Sequence, residues 1–138
     1  MNLYYKIWVD GLRKLKSIPA NKNMWKFYAM IFISMAMAVN FMLIIAILER
    51  NVFRTNFYHL KFDFFPELKL NSFLSFFILF LGPCVLINYF LIFRKKRYEL
   101  LFKKYTVNYN GKLCVAYIMT SYFLPFFLLI IGYFINKI

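Results

Sequence analysis

Residues 27–48 read FYAMIFISMAMAVNFMLIIAIL, an uninterrupted apolar run without a charged side chain. At about 1.5 Å of rise per residue, a helix of this length reaches roughly 33 Å, enough to cross a hydrocarbon core of ~30 Å. Two further runs have the same character: residues 72–93, SFLSFFILFLGPCVLINYFLIF, and residues 113–135, LCVAYIMTSYFLPFFLLIIGYFI. Core helices of soluble proteins seldom exceed ~14 uninterrupted apolar residues. Three longer runs within 138 residues, in a chain that is 63% hydrophobic and 23% aromatic, therefore point to lipid as the surrounding solvent. The expected fold is an all-α membrane protein forming a single membrane domain over 1–138. It has three transmembrane helices, at 27–48, 72–93 and 113–135, plus a short N-terminal interfacial amphipathic helix at 3–17. The first run begins too late, and is too long for a ~7–15-residue signal core, to read as a cleavable signal; it reads as a retained anchor.

Basic residues set the expected orientation. The N-terminal segment carries Lys6, Arg13, Lys14, Lys16, Lys22 and Lys26. The basic connection 94–112 carries Arg94, Lys95, Lys96, Arg97, Lys103, Lys104 and Lys112. These are thirteen of the 18 Lys and Arg, and the net charge of +13 belongs mostly to one face. The positive-inside rule then predicts a cytoplasmic N-terminus and an outside C-terminus, in a multi-pass protein of a bacterial cytoplasmic membrane. Lys14, Lys16 and the cluster Arg94, Lys95, Lys96, Arg97 are candidate contacts for anionic lipid headgroups. Docking of nucleic acid or a ribosome on the same charge ranks below this, because no nucleic-acid-binding motif accompanies it.

In residues 3–17, Tyr4, Trp8, Leu12 and Leu15 recur every three or four positions opposite most of the lysines, the pattern of a helix lying in the interface. Pro19 ends it, and Gly11 weakens it. The outer loop 49–71 is rich in rings. Phe57, Tyr58, Phe62, Phe64 and Phe65 are a candidate partner-docking surface, since a loop this apolar requires cover. Asn108-Tyr109-Asn110-Gly111 predicts a turn before the third run.

Within the spans, small and weakly polar residues predict helix packing: Ala29, Ala36 and Asn40 in the first, Ser75 and Gly82 in the second, Ala116 and Thr120 in the third. Pro83 and Pro125 each remove a helical donor and predict kinks. Asn88 is expected near the interface and partly hydrated. No span carries an Asp, Glu, Lys, Arg or His in its interior, which argues against a transport pathway. The single histidine, His59, shares its loop with Asp63 and Glu67 at a spacing matching no mechanistic motif, and Cys84 and Cys114 lack metal-ligand spacing. Neither catalysis nor a cofactor or metal is expected.

The expected role is a non-catalytic accessory subunit of a larger inner-membrane complex, of translocon, secretion or respiratory type. Other integral membrane proteins and anionic lipids are its partners. The alternatives are a small self-assembling pore, an immunity- or toxin-type membrane protein, or an oligomeric small transporter.

Overall fold

The computed structural model describes residues 2–21, 23–48, 74–106 and 108–135. All regular structure among them is helical. Among the described residues four helices longer than three residues follow one another: α1 (Leu3–Ser17), α2 (Trp25–Leu48), α3 (Leu74–Lys104) and α4 (Lys112–Ile135). α2 and α3 are both long and apolar enough to cross a membrane. α4 is helical over 24 residues. The loop 49–71 expected on the outer side, with Phe57, Tyr58, Phe62, Phe64 and Phe65, lies outside the described residues, as do Lys22 and the group His59, Asp63 and Glu67.

α2 is the central element and packs against α1, α3 and α4. One flank presents Ala29, Ile33 and Ala36, all buried; the other buries Ser34 and Ala38. Small side chains on both flanks let neighbouring backbones approach, which is how helices associate where lipid supplies no hydrophobic contrast. Much of the rest of the bundle is exposed phenylalanine, isoleucine and leucine, Phe126, Phe127 and Ile130 among them.

α3 is not a regular helix. Pro83 has no N–H for the carbonyl of Leu79, and its ring crowds that carbonyl. The backbone accommodates this by winding Phe77–Leu81 as a π-helical turn, with the Gly82 N–H donating to the Phe77 carbonyl five residues back. A second π-helical turn, Tyr89–Phe93, closes the apolar part, with the Arg94 N–H on the Tyr89 carbonyl. Lys95 and Lys96 then adopt left-handed conformations, φ 52° and 55°. They redirect the last turns, Arg97–Lys104, beneath α1. α4, by contrast, continues through Pro125 as one helix.

The larger hydrophobic core sits at the end where α1 docks, not at mid-span. It joins Ile7, Trp8 and Leu12 to Trp25, Ala29 and Ile33 of α2, Ile92 and Tyr98 of α3, and Cys114 of α4. The Trp8 ring meets Phe93 edge-on at 5.7 Å, and Trp25 meets Tyr98 likewise at 5.7 Å. α1 is therefore a helix over the expected residues, but its environment differs from expectation. The face expected to rest on lipid headgroups is covered by α2, α3 and α4, and Trp8 and Leu12 are fully enclosed. Each such side chain contributes about 1.5–3 kcal/mol on burial. A face that protein can enclose completely gains more than one half-sunk in headgroups.

Candidate functional site

The junction of α1, α3 and α4 gathers the chain's most specific polar contacts. α4 begins after Asn110 and Gly111, both at positive φ (54° and 83°), so the turn predicted at 108–111 is present. A helix entered through such a turn leaves its first N–H groups without intrahelical partners. Asp10 of α1 supplies them, although it lies about a hundred residues away. Its Oδ1 accepts from the N–H groups of Tyr109 (2.9 Å) and Gly111 (3.1 Å). Its Oδ2 accepts from Leu113 (3.0 Å) and, at longer range, Cys114 (3.4 Å). The side chain is 1% exposed. This is an N-cap provided by another helix, and its negative charge meets the positive end of the α4 dipole.

Two further α1 side chains extend the clamp. Arg13 Nη2 donates to the carbonyls of Phe102 (2.8 Å) and Tyr105 (2.9 Å), holding the C-terminal end of α3. Lys14 Nζ donates to Asn110 Oδ1 at 2.9 Å. Together these contacts place the N-terminal helix and the basic connection at the same end of the bundle.

A glycine makes the approach possible. A Cβ on Gly11 would lie 2.7 Å from Cys114 Sγ and 3.1 Å from Cys114 Cβ. The residue that weakens α1 as an isolated helix is thus what admits α4. Gly111 is required twice over, by its φ and by Lys14, whose Cγ would lie 2.7 Å from an added Cβ.

Deeper in the bundle, polar side chains pair across helices. The Tyr4 hydroxyl donates to Asn88 Oδ1, and Asn88 Nδ2 donates to Ser34 Oγ at 2.8 Å. Asn88 has no exposed surface, so the expectation of partial hydration is corrected: the amide is enclosed by α1 and α2 and satisfied by protein. Burial pushes the Tyr4 phenol up to about 12, so it remains a donor at neutral pH. Asn40 Nδ2 donates to Ser121 Oγ at 2.8 Å, and that hydroxyl donates in turn to the Tyr117 carbonyl. Asn88→Leu is expected to destabilise the fold by about 1–2 kcal/mol, the upper range for amide bonds between membrane helices. Tyr4→Phe should cost about 1 kcal/mol, and less again in the Asn88→Leu background. Unfolding titrations of the single and double variants in mixed micelles check both figures.

Of the candidate packing residues, Ala29, Ala36 and Ser75 are buried and Asn40 bonds across to α4. Gly82 is half-buried within the irregular part of α3. Ala116 and Thr120 lie on the exposed side of α4; the side packed against the bundle carries Cys114 and Ser121 instead. Among the candidate headgroup contacts, Lys16 lies over the Trp25 ring (5.8 Å) and Arg94 over the Phe90 ring (5.3 Å). Lys95, Lys96 and Arg97 are exposed at the α3 bend. Sequence context gives Asp10 no role, counts Arg13 only among the cations, and reads Asn88 only as a partly hydrated amide. The usable signal for Asp10 was its place among apolar residues, one turn after Ile7, together with a following helix, α4, whose own approach offers no acidic cap.

No group of three or more His, Cys, Asp or Glu side chains among the described residues could hold a metal. Comparison with known protein families, characterised proteins and solved structures finds no match.

Proposed function

We propose that this chain is a three-span protein of a bacterial cytoplasmic membrane, with its N-terminus cytoplasmic and its C-terminus outside. It serves as a non-catalytic accessory subunit of a larger membrane complex of translocon, secretion or respiratory type. α4 is the third span: at about 1.5 Å per residue its 24 residues reach roughly 36 Å. The orientation is supported by the junction, where Asp10, Arg13 and Lys14 tie the basic N-terminal segment to the basic connection. All thirteen of the cations counted above then belong to one membrane face.

The observation that carries the subunit reading is Asn40. Its Oδ1 is buried without a hydrogen-bond partner among the described residues. It belongs to a groove of about 320 Å3 bordered by Met37, Phe41, Pro83 and Cys84. An unpaired amide oxygen in hydrocarbon is costly, and a donor from a neighbouring helix relieves that cost. Elsewhere among the described residues the Asp10 carboxylate is consumed by backbone N–H groups and the Asn88 amide by Tyr4 and Ser34, while the buried Trp8 Nε1, at the α1 docking end, likewise lacks a partner. This favours a structural role over a wet pathway, and a pore or transporter ranks second for the same reason.

Gentle detergent extraction from native membranes, followed by mass spectrometry, tests the proposal. The chain is expected in a stoichiometric complex with other integral membrane proteins, and Asn40→Val is expected to lower their co-recovery. Recovery solely as a free monomer would contradict the subunit role. Termini that both label from the same side would contradict the topology.

A further inference from the structure

Where the start of α1 meets the turn before α4, the fold leaves a cleft of about 630 Å3. Lys6, Lys112, Asn108 and Asn110 border it, so its mouth carries two cations and two amides. Lys14, bonded to Asn110, adds a third cation behind that amide. Asp10, which binds the same turn, has both oxygens committed to backbone N–H groups and offers the lysines little competition. The floor toward the bundle is apolar, formed by Leu113 and Ala116.

That floor continues. Ala116 is followed one turn later by Thr120, which opens a second hollow of about 460 Å3 with Phe123, Leu124 and Phe127. Positions 113, 116, 120, 123 and 127 recur every three or four residues and so share one stripe of α4. The small, exposed side chains of Ala116 and Thr120 make the stripe a furrow, and the exposed rings of Phe123 and Phe127 project beyond it. From Leu113 to Phe123 the furrow runs about 15 Å, one leaflet's share of a ~30 Å hydrocarbon core.

We propose that the cleft and furrow form a binding site for one anionic phospholipid. Lys6 and Lys112 hold its phosphate, Asn108 and Asn110 bond the polar headgroup, and one acyl chain lies over Leu113, Ala116 and Thr120. The charge at the mouth selects the anionic headgroup, and the apolar furrow distinguishes a lipid from a free phosphate. Ala116 and Thr120, small residues turned away from the bundle, thereby acquire a role. The proposal rests on the membrane reading given above.

Native mass spectrometry of the full chain in detergent, with dioleoyl phosphatidylglycerol or dioleoyl phosphatidylcholine added, tests it. One phosphatidylglycerol is expected to be retained at least fivefold more than phosphatidylcholine. Lys6→Gln with Lys112→Gln should cut that retention at least fivefold. Lys103→Gln with Lys104→Gln, which removes equal charge at exposed positions away from the cleft, should leave it unchanged. Ala116→Phe, at an exposed position, should lower it by filling the furrow with both lysines intact. Equal retention of the two lipids, equal loss in both double variants, or no effect of Ala116→Phe would overturn the site. Release of the chain from membranes by an alkaline wash would instead overturn the membrane reading itself. A chain that stays in the membrane while the two double variants behave alike removes only the lipid site.

Discussion

Asp10→Ala is expected to destabilise the protein by about 3–5 kcal/mol, the range for removing one partner from a buried charged contact. Loss of an N-cap alone costs about 0.5–2 kcal/mol. Here the carboxylate serves four N–H groups, two of them in the turn and two in the first turn of α4, and all lose their acceptor at once. Water cannot readily replace it, since the side chain it would enter through is 1% exposed. Asp10→Asn keeps one acceptor oxygen but turns an NH2 group toward backbone donors, and should lose about half as much or more. Glu99→Gln, at an exposed position, should change stability by less than about 0.5 kcal/mol. Trp8 and Trp25 both lie in the core at the α1 docking end, so tryptophan fluorescence during unfolding in mixed micelles reads the effect directly. An Asp10→Ala protein as stable as the Glu99→Gln control would refute the clamp.

Gly11→Leu should have a comparable effect by a different route. Even a Cβ there would meet Cys114 Sγ at 2.7 Å and Cys114 Cβ at 3.1 Å. The sulfur sits one bond from its Cβ on a packed helix and has little freedom to withdraw. A leucine must push α1 away from α4, stretching the Asp10 bonds next to it. Overpacking of this kind costs about 1–3 kcal/mol, and disruption of the adjacent clamp raises the total to about 3 kcal/mol or more. Gly11→Ala isolates the steric part. Helix propensity favours the alanine by about 1 kcal/mol, but the contact with Cys114 opposes it. In a Cys114→Ala background the sulfur is gone, and Gly11→Ala should become more favourable by about 1 kcal/mol. Purely additive variants would mean that the two helices do not meet at these residues.

The long helices were legible because each follows a long, uninterrupted apolar run. The run at 27–48 lies within α2, the run at 72–93 falls almost wholly within α3, and 113–135 coincides with α4 to one residue. Pro83 correctly marked an irregular helix, although the π-helical turns it accompanies have no separate signature. The destination of α1 was not legible. An apolar stripe opposite lysines has the same periodicity whether lipid or protein covers it, and Trp8 and Leu12 satisfy both readings. Asp10 was hidden by the same ambiguity, since a lone acid in a basic helix resembles a solvated charge. Only the far-removed turn at Tyr109 and Gly111 gives it a purpose. Asn88 was misplaced because distance along a helix estimates depth but not enclosure, and α1 folds over that depth. Small side chains permit close approach, so Ala116 and Thr120 predict packing, but their spacing does not specify which side of α4 faces the neighbours.

The central claim is that the N-terminal helix is an integral part of the bundle, seated against the start of α4. Oxidative cross-linking of a Gly11→Cys variant in intact membranes, read by mass spectrometry without prior extraction, tests this most directly. The account predicts a disulfide from position 11 to Cys114 and none to Cys84, at a yield well above that of a Ser17→Cys control at the exposed end of α1. Yields to Cys114 no higher from position 11 than from position 17 would show α1 lying free of the bundle, and would contradict the account.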